Sequence, residues 1–306
     1  MRLGVDIGGT KTAAVVLGDD GEVRASATAP SGRGADDVVA RAVDLALRVL
    51  ESAGPDGVRA AGACIPGLVD PVAGTVRHAV NLDVEELDLA GALAAGLGMP
   101  VLVENDVKAA ALGAHHLAGL GAGLTLAYLN LGTGLAAAVV HAGDVVRGVD
   151  GVAGEIGHLP VGGSTRCACG QTGCLETLAS GSALVRMWPQ APEAGWDVLR
   201  AAERGDDDAA RAAAMLCSGI ALAVQVLVLA SGAQRVVMSG GLTLMGEPLL
   251  EAVRAEQRRR AAGSPLLASL RLDEKVSLLA SDVPVAAIGA ARLGVAAGTG
   301  GAPWRS

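Results

Sequence analysis

Phenylalanine is absent from this chain of 306 residues, and tyrosine occurs only once. The hydrophobic core must therefore be built from aliphatic side chains and alanine rather than from stacked rings. For the same reason, a small polar ligand would be held mainly by hydrogen bonds. This scarcity argues against recognition by an aromatic platform.

Basic side chains are outnumbered, with 24 Lys and Arg against 32 Asp and Glu and a net charge of −8. Proteins that bind nucleic acids need clustered cations against the phosphates. The one short basic run, 258–260, is interpreted as the solvated face of a helix. We expect no nucleic-acid partner.

The first residues lack the charged, apolar and cleavage regions of a signal peptide. The most apolar stretch, 220–230, is too short to cross a bilayer, which takes about 20 residues, and it carries Gln225. We interpret it as a buried helix. The sequence thus predicts a cytoplasmic protein without a membrane anchor.

Three of the five cysteines lie within eight residues, at Cys167, Cys169 and Cys174, and His158 stands nine residues upstream. Three thiolates and one imidazole form a ligand set typical of closed tetrahedral zinc sites. Because four protein ligands leave no position for water, this zinc is predicted to be structural rather than catalytic. The other two cysteines stand in apolar sequence and are interpreted as core residues: Cys64 and Cys217.

Apolar periodicity predicts an α/β protein. The predicted strands cover 2–7, 12–18, 22–29, 58–65, 100–104, 124–131, 134–141 and 234–239, and the predicted helices cover 36–53, 89–97, 106–118, 181–187, 194–204, 208–231, 246–262 and 285–297. A strand, a glycine and threonine turn and a second strand occur at both 2–18 and 124–141. The repetition indicates two domains of one architecture that face a cleft, with a boundary near the glycines at 119–123.

Three glycine turns follow apolar strands, at 8–9, 132–134 and 240–241. Glycine lets backbone N–H groups approach phosphate oxygens, although most glycine turns only reverse the chain. Asp6 strengthens the phosphate interpretation, because a carboxylate at a strand end beside such a turn can hold Mg²⁺; its simpler role is to cap the turn. Three turns in one chain suit a nucleotide bound between two domains.

Polar residues Glu104, Asn105 and Asp106 follow a predicted buried strand and open a helix. A helix N-cap accounts for one of Asn105 and Asp106. A carboxylate at this position is also placed to accept the proton of an attacking hydroxyl and to orient that hydroxyl.

Glu155 and His158 are spaced to share one face of a helical turn, and Glu176 follows the cysteines. A lone Glu and His pair is more often a surface feature. Here the predicted zinc would hold the loop, and both carboxylates could accept hydrogen bonds from vicinal hydroxyls.

Together these motifs resemble the ROK family of bacterial sugar kinases and sugar-responsive repressors, in order over nearly the whole chain: 6–11, 104–106, 131–134, 154–158, 167–176 and 239–241. The resemblance implies an actin-like ATPase (ribonuclease H-like) fold. The glycines divide the chain into predicted domains at 1–118 and 119–289, and the resemblance implies that a C-terminal helix at about 290–306 packs back on the first. ATP and Mg²⁺ in the cleft, phosphorylation of a hexose 6-hydroxyl and a homodimer are also implied.

The resemblance also assigns roles to single residues. Asp106 corresponds to the catalytic base, and the sugar contacts correspond to Gly67, Asn105, Asp106, Glu155, His158 and Glu176. The zinc ligands correspond to His158, Cys167, Cys169 and Cys174. The nucleotide and its Mg²⁺ are expected at Asp6, Gly8, Gly9, Thr10, Lys11, Thr12, Gly132, Thr133, Gly134, Gly240 and Gly241.

The chain departs from the family pattern at three places. Leu135, Ala136 and Ala137 follow the second turn where glycine is common, Lys108 replaces a small residue, and the segment 81–87 is acidic where a tryptophan is frequent. Glucose is the favoured acceptor, with N-acetylmannosamine, N-acetylglucosamine, fructose, allose or a cyclitol as alternatives. A repressor is disfavoured because only five residues precede Asp6, and a non-catalytic sugar sensor because Asp106 and the three turns are intact.

Overall fold

The computed structural model describes residues 1–54, 57–58, 60–119, 123–190 and 198–294. The strands are β1 (Arg2–Ile7), β2 (Lys11–Leu17), β3 (Val23–Pro30), β4 (Ala61–Ile65), β5 (Leu68–Asp70), β6 (Thr75–Ala79), β7 (Val84–Asp88), β8 (Val101–Asn105), β9 (Thr125–Leu131), β10 (Leu135–His141), β11 (Asp144–Val145), β12 (Arg235–Ser239) and β13 (Val276–Leu278). The helices are α1 (Ala35–Ala53), α2 (Leu89–Leu97), α3 (Asp106–Leu117), α4 (Gly181–Met187), α5 (Val198–Glu203), α6 (Asp207–Ser231), α7 (Glu247–Ala261), α8 (Pro265–Leu270), α9 (Leu272–Lys275) and α10 (Val285–Ala291).

Two five-stranded sheets repeat one strand order, β3-β2-β1-β4-β8 and β11-β10-β9-β12-β13. In the first, β1, β2 and β3 form an antiparallel meander, and β4 and β8 continue in parallel from β1. In the second, β9, β12 and β13 are parallel neighbours. The interior strand β4 is buried along its whole length, as expected for a strand covered on both faces.

The chain divides into two compact units. Unit 1 contains Met1–Leu124, Val140–Gly151 and the chain from Pro284 onward, and unit 2 contains Thr125–Val139 and Val152–Val283. The sequence placed the division at 118/119 and did not anticipate that the segment 140–151 belongs to unit 1. Part of the predicted helix at 194–204 and of the predicted C-terminal segment at 290–306 lies outside the described residues.

Helix α10 packs in direct backbone contact with its neighbours in unit 1. A Cβ atom on Gly113 of α3 would overlap the carbonyl oxygen of Val285, and one on Gly289 would overlap that of Ala109. Gly4 on β1 meets α10 in the same way. Close approach of small residues therefore replaces the interlocking of large side chains in this part of the core.

Helix α6 lies in the core of unit 2. Among the described residues it is the one helix long and apolar enough to span a membrane, with a mean hydropathy of 2.3, yet 61% of its most apolar window is buried inside the protein. Buried Ile220, Val224 and Leu227 belong to the core cluster that also contains residues of β9 and β12. The hydropathy of α6 is that of a core helix, as the sequence predicted for 220–230.

A three-stranded antiparallel sheet, β5-β6-β7, was not predicted. Its strands are short and carry mostly exposed side chains, so they lack the apolar runs by which strands are recognised. The segment 81–87 belongs to this region. It forms part of a 3-10 turn (Val80–Leu82) and of β7, with Leu82 fully buried and Asn81 adjacent to Gly9.

We expect Gly113→Ala to lower the free energy of unfolding by about 1–3 kcal/mol, because the added methyl group has no space against the Val285 carbonyl. Urea denaturation measures this loss. Gly123→Ala is the matched control, since a Cβ at that position meets no atom within 4 Å. Equal stabilities for the two variants would contradict the backbone contact between α3 and α10.

Candidate functional site

Three polar side chains of unit 1 lie side by side on neighbouring parallel strands. Asp6 of β1 is in register with Cys64 of β4, and Cys64 is in register with Glu104 of β8. The Cys64 thiol donates to Asp6 Oδ1 over 3.6 Å. Burial and the neighbouring carboxylates Asp6, Asp106 and Glu104 raise the pKa of Cys64, so the thiol keeps its proton as a donor.

Asp6 and Asp106 are close enough to influence each other's charge. Burial, and then the charge of Asp106, raise the pKa of Asp6 to about 6, against the smaller opposing effects of Cys64 and Lys11. Two carboxylates that disfavour each other's ionisation are a suitable pair to receive a divalent cation, which would offset the repulsion.

Asn105 and Asp106 have separate roles at the start of α3. Asn105 is the N-cap: its Oδ1 accepts from the N–H groups of Val107 at 3.1 Å and Lys108 at 3.3 Å. Its Nδ2 also donates to the Gly67 carbonyl over 3.4 Å, which brings Gly67 and Asn105 together. The capping interpretation thus accounts for Asn105. Asp106 begins the helix, and its own Oδ1 accepts from Val107 N–H at 2.9 Å.

The turn between β1 and β2 is braced by Ser31, which the sequence reading did not identify. The Gly8 N–H donates to the Lys11 carbonyl over 3.1 Å, and Ser31 Oγ donates to the Gly8 carbonyl over 2.6 Å. Thr12 is only 1% exposed, and its hydroxyl lies 2.9 Å from Ser31 Oγ. Thr12 therefore supports the turn from inside. No local motif marks Ser31, because it follows the last residue of β3 and lies 23 residues from Gly8 in the chain.

The two glycine turns of unit 2 lie at the same edge of the second sheet. Asn130 near the end of β9 is in parallel register with Ser239 at the end of β12. The carbonyl oxygen of Gly132 accepts from the Gly181 N–H over 2.8 Å, which fixes the first turn to the start of α4. Gly240 adopts a φ of 98° against the backbone of Leu131. Neighbouring turns at the carboxyl end of parallel strands form a usual ligand position in α/β sheets.

Side chains that depart from the family pattern after the second turn point mostly into the core. Leu135 and Ala137 are each 3% exposed and belong to the core cluster of unit 2, whereas Ala136 is half-buried. Gly154 and Gly157 pack against the carbonyl oxygens of these two buried residues. The side-chain carbon atoms that Leu135 and Ala137 add relative to glycine therefore fill the interior of unit 2. Of the three residues, only Ala136 places its methyl group on the other face of β10.

Glu176 joins the glycine turn to the cysteines. Its Oε2 accepts from the Leu135 N–H at 2.9 Å, directly after Gly134, and its Oε1 lies 3.7 Å from the thiol of Cys167. Glu155 is exposed and immediately precedes the 3-10 turn Ile156–His158. Within unit 2 the structure thus brings Glu176, the 132–134 turn and the cysteine segment into one neighbourhood.

The four predicted zinc ligands converge. Candidate ligand atoms of His158, Cys167, Cys169 and Cys174 all lie within 4.8 Å of one another. The Cys169 and Cys174 sulfurs are 3.6 Å apart, and Cys167 Sγ is 3.8 Å from His158 Nδ1. A tetrahedral zinc with bonds of about 2.3 Å to sulfur has ligands about 3.8 Å apart. The donor set and its spacing therefore fit zinc.

Backbone geometry prepares Cys169 for this role. The Gln171 backbone N–H is the main cause that lowers the pKa of Cys169 to about 7, which favours the thiolate that binds metal, whereas desolvation raises the pKa of the neighbouring Cys174 to about 12. The segment is closed by backbone bonds from Val161 N–H to the Gly173 carbonyl at 2.8 Å and from Cys167 N–H to the Gln171 carbonyl at 2.8 Å. These bonds close the segment that carries three of the four ligands.

Comparison with known proteins identifies relatives over almost the full chain. The ROK family model matches residues 2–293. A glucokinase of Halalkalibacterium halodurans is 29% identical over 277 residues, which cover 82% of this chain and 83% of that protein. Xylose repressors also match: the protein of Caldicellulosiruptor bescii is 28% identical over 68% of this chain and 56% of its own length.

Solved structures agree with this assignment. The ROK hexokinase of Thermus thermophilus has a TM-score of 0.80 and 30% identity, over 95% of this chain and 96% of that one. A ROK glucokinase of Streptomyces griseus, solved with glucose and AMPPNP, has a TM-score of 0.73 and 29% identity, over 95% and 98% of the two chains. These similarities confirm the predicted actin-like ATPase fold.

Asp6→Asn should raise the free energy of unfolding by about 2 kcal/mol more at pH 7.5 than at pH 4. The reason is that the pKa of Asp6 in the folded protein, about 6, exceeds its ordinary value of 3.8. The ionised carboxylate costs stability above pH 6, and this cost fades as the pH falls towards 4. Urea denaturation at both pH values in magnesium-free buffer measures the difference. Asp37→Asn is the control and should bring no gain at pH 7.5, because a hydrogen bond from Arg41 lowers the pKa of Asp37. An Asp6→Asn gain that is equal at both pH values would contradict the raised pKa.

Cys169→Ser should reduce the zinc content from about one ion per chain to a small fraction of that, because one thiolate of the tetrahedral set is lost. Elemental analysis of the purified protein measures the metal, and thermal unfolding should show a lower Tm. Cys217→Ser is the matched control, since this buried cysteine lies on α6 and not among the four ligands. Full zinc occupancy in Cys169→Ser would contradict the site.

Proposed function

The chain belongs to the ROK family, and we propose that it is an ATP-dependent kinase that phosphorylates the 6-hydroxyl of a hexose, with glucose as the favoured acceptor. One observation carries this proposal. Asp106 stands at the start of α3, directly after parallel strand β8, within electrostatic reach of Asp6 at the end of β1. This arrangement supplies a carboxylate for the acceptor hydroxyl and a second for a metal-bound phosphate.

Asp106 is proposed as the catalytic base. Its carboxylate would accept a hydrogen bond from the sugar hydroxyl, orient the oxygen towards the γ-phosphorus of ATP and take the proton. The new O–P bond would form as the bond from this phosphorus to the ADP oxygen breaks, with ADP as the leaving group. Phosphoryl transfer has a loose transition state, so orientation contributes more than removal of the proton. Asn105 and Gly67, which are linked by a hydrogen bond, are proposed to contact the sugar beside this base.

The nucleotide is proposed to bind at the glycine turns. Gly9, Thr10 and Lys11 in unit 1, and Gly132, Thr133, Gly134, Gly240 and Gly241 in unit 2, would present backbone N–H groups to the phosphates. Gly8, whose own N–H closes the turn on the Lys11 carbonyl, would shape this turn. Thr12 and Ser31 hold the first turn from within. Asp6 would hold Mg²⁺ directly or through water, and the metal would neutralise charge on the transferred phosphoryl group.

Zinc is proposed to order the sugar-binding loop rather than to take part in the chemistry. His158, Cys167, Cys169 and Cys174 would fill its coordination sphere. Glu155, next to the turn that carries His158, would accept hydrogen bonds from sugar hydroxyls. The Glu176 carboxylate keeps free lone pairs beyond its contacts with Leu135 and Cys167, and it is proposed as a further sugar contact.

Glucose is favoured over the other acceptors because the H. halodurans relative is a glucokinase and the S. griseus structure contains glucose. AMPPNP in that structure, an analogue of ATP, supports ATP as the donor. N-acetylmannosamine, N-acetylglucosamine, fructose, allose and cyclitols remain the alternative acceptors. Selectivity among these ligands depends on the pairing of each hydroxyl, which can change rates by about 10⁴-fold.

A repressor is the second candidate function, since xylose repressors match part of this chain. The kinase is favoured because Asp106, Asp6 and the glycine turns form the set that phosphoryl transfer needs, and sugar sensing alone does not require it. We further propose that the enzyme acts in the cytoplasm and forms a homodimer.

An ATP-consumption screen tests the proposed function. The purified protein is supplied with ATP, Mg²⁺ and one candidate acceptor at a time, from hexoses, N-acetylhexosamines and cyclitols. We expect glucose to give the highest kcat/KM, and mass spectrometry to find the phosphate on the 6-oxygen. If another acceptor gives a higher kcat/KM, that acceptor replaces glucose in the proposal. If no acceptor leads to the formation of ADP, the result contradicts the proposed kinase activity.

Asp106→Asn should lower kcat by at least about 10²-fold while the Kd for the sugar changes little, because the amide keeps the shape of the side chain but orients the hydroxyl less strongly than a carboxylate and cannot accept its proton. Steady-state kinetics and calorimetric titration of the sugar separate the two effects. Asp37→Asn serves as the control for loss of an exposed carboxylate. Turnover near that of the unaltered enzyme would exclude Asp106 as the base.

A further inference from the structure

We propose that Arg147 and Glu104 form an ion pair that positions the catalytic segment 105–106, so that Arg147 is a positioning residue for phosphoryl transfer. This inference rests on the proposed function and extends it to a residue that no sequence motif marked. Arg147 lies on the segment 140–151, far along the chain from β8 but in the same compact unit.

Glu104 is a buried carboxylate on β8, two residues before Asp106. Its side chain is 2% exposed, and Arg147 Nε donates to its Oε2 over 2.6 Å. The other oxygen, Oε1, accepts from the backbone N–H of Asn105 at 2.9 Å. One carboxylate therefore links the arginine to the backbone of the residue immediately before Asp106.

The link continues into the helix start. Asn105, held at its N–H by Glu104, caps α3 through Val107 and Lys108 and donates to the Gly67 carbonyl. The path from Arg147 to Asp106 consists of an ion pair, a backbone hydrogen bond and the N-cap. Arg147 itself is separated from Asp106 by these contacts, so its effect on the base is indirect.

The arginine is needed because of the local charge. Glu104 stands in a region with Asp6 and Asp106, where a third buried negative charge without a partner is strongly disfavoured. If the guanidinium is removed, the buried Glu104 carboxylate loses its charged partner and turns towards other donors. This movement weakens its bond to the Asn105 N–H and loosens the backbone that sets the direction of the Asp106 carboxylate.

Four variants test the pair: Arg147→Met, Arg147→Lys, Glu104→Gln and the double variant Glu104→Gln/Arg147→Met. We expect Arg147→Met to lower kcat by about 10–100-fold with the sugar KM within about 3-fold, because a small misplacement of the base affects the transition state. Arg147→Lys keeps the charge and should recover most of this loss. The double variant should be no slower than Arg147→Met, since no unpaired buried charge remains.

Hydrogen exchange supplies a readout that does not depend on turnover. Exchange at the amides of Asn105, Val107 and Lys108 should accelerate about 10-fold in Arg147→Met, because these N–H groups bond to Glu104, Asn105 or Asp106. Arg260→Met is the matched control. It breaks a partly buried pair with Glu256 in unit 2, so it should lower the Tm but leave kcat and these three amides unchanged.

The outcomes separate the two proposals. Normal kcat and normal exchange at 105–108 in Arg147→Met would overturn the positioning role, as would losses that multiply in the double variant. If the unaltered enzyme phosphorylates no acceptor, the proposed function fails, and the exchange data still decide whether Arg147 orders this segment.

Discussion

The parallel register of β1, β4 and β8 is the constraint on which the candidate site depends. It aligns Asp6, Cys64 and Glu104 across three strands and sets Asp106 at the start of the following helix. Three carboxylates in one partly buried region repel each other, and the protein limits this repulsion with local donors. The Cys64 thiol donates to Asp6, Arg147 pairs with Glu104, and the backbone amide of Val107 binds Asp106. The sheet thus holds three mutually repelling carboxylates close together, and local hydrogen-bond donors stabilise each of them.

The composition of the core follows from a related constraint. A chain with no phenylalanine, one tyrosine and three tryptophans has few rings to fill space, and in unit 1 α10 approaches α3, β1 and β4 so closely that glycine is required at the contacts. Because α10 covers the face of the sheet on which Cys64 lies, the same contacts bury the thiol and raise its pKa. Packing of small residues and the electrostatics of the site are therefore coupled in unit 1.

Unit 2 repeats the strand order of unit 1 and adds a different set of supports. Glu176 contacts both the backbone after the second glycine turn and the cysteine segment, while Gly154 and Gly157 pack against the strand that leaves this turn. Under the proposed function, the same short region would serve a phosphate turn, a zinc site and the sugar contacts. Changes in the zinc loop would then alter the binding of the nucleotide as well as that of the sugar, because Glu176 contacts both the second glycine turn and the cysteine segment.

The amino-acid sequence by itself determined the α/β class, most strands and helices to within a few residues, the repeated architecture and the convergence of the four candidate zinc ligands. These features are encoded locally, in apolar periodicity, glycine turns and the short spacing of the cysteines. Tertiary structure alone decided that Ser31 braces the first turn, that Leu135 and Ala137 face the core, and that Arg147 pairs with Glu104. It also decided the assignment of segment 140–151 to unit 1. Each of these depends on residues far apart in the chain, whose contacts are set by packing and register and leave no periodic signal in the sequence.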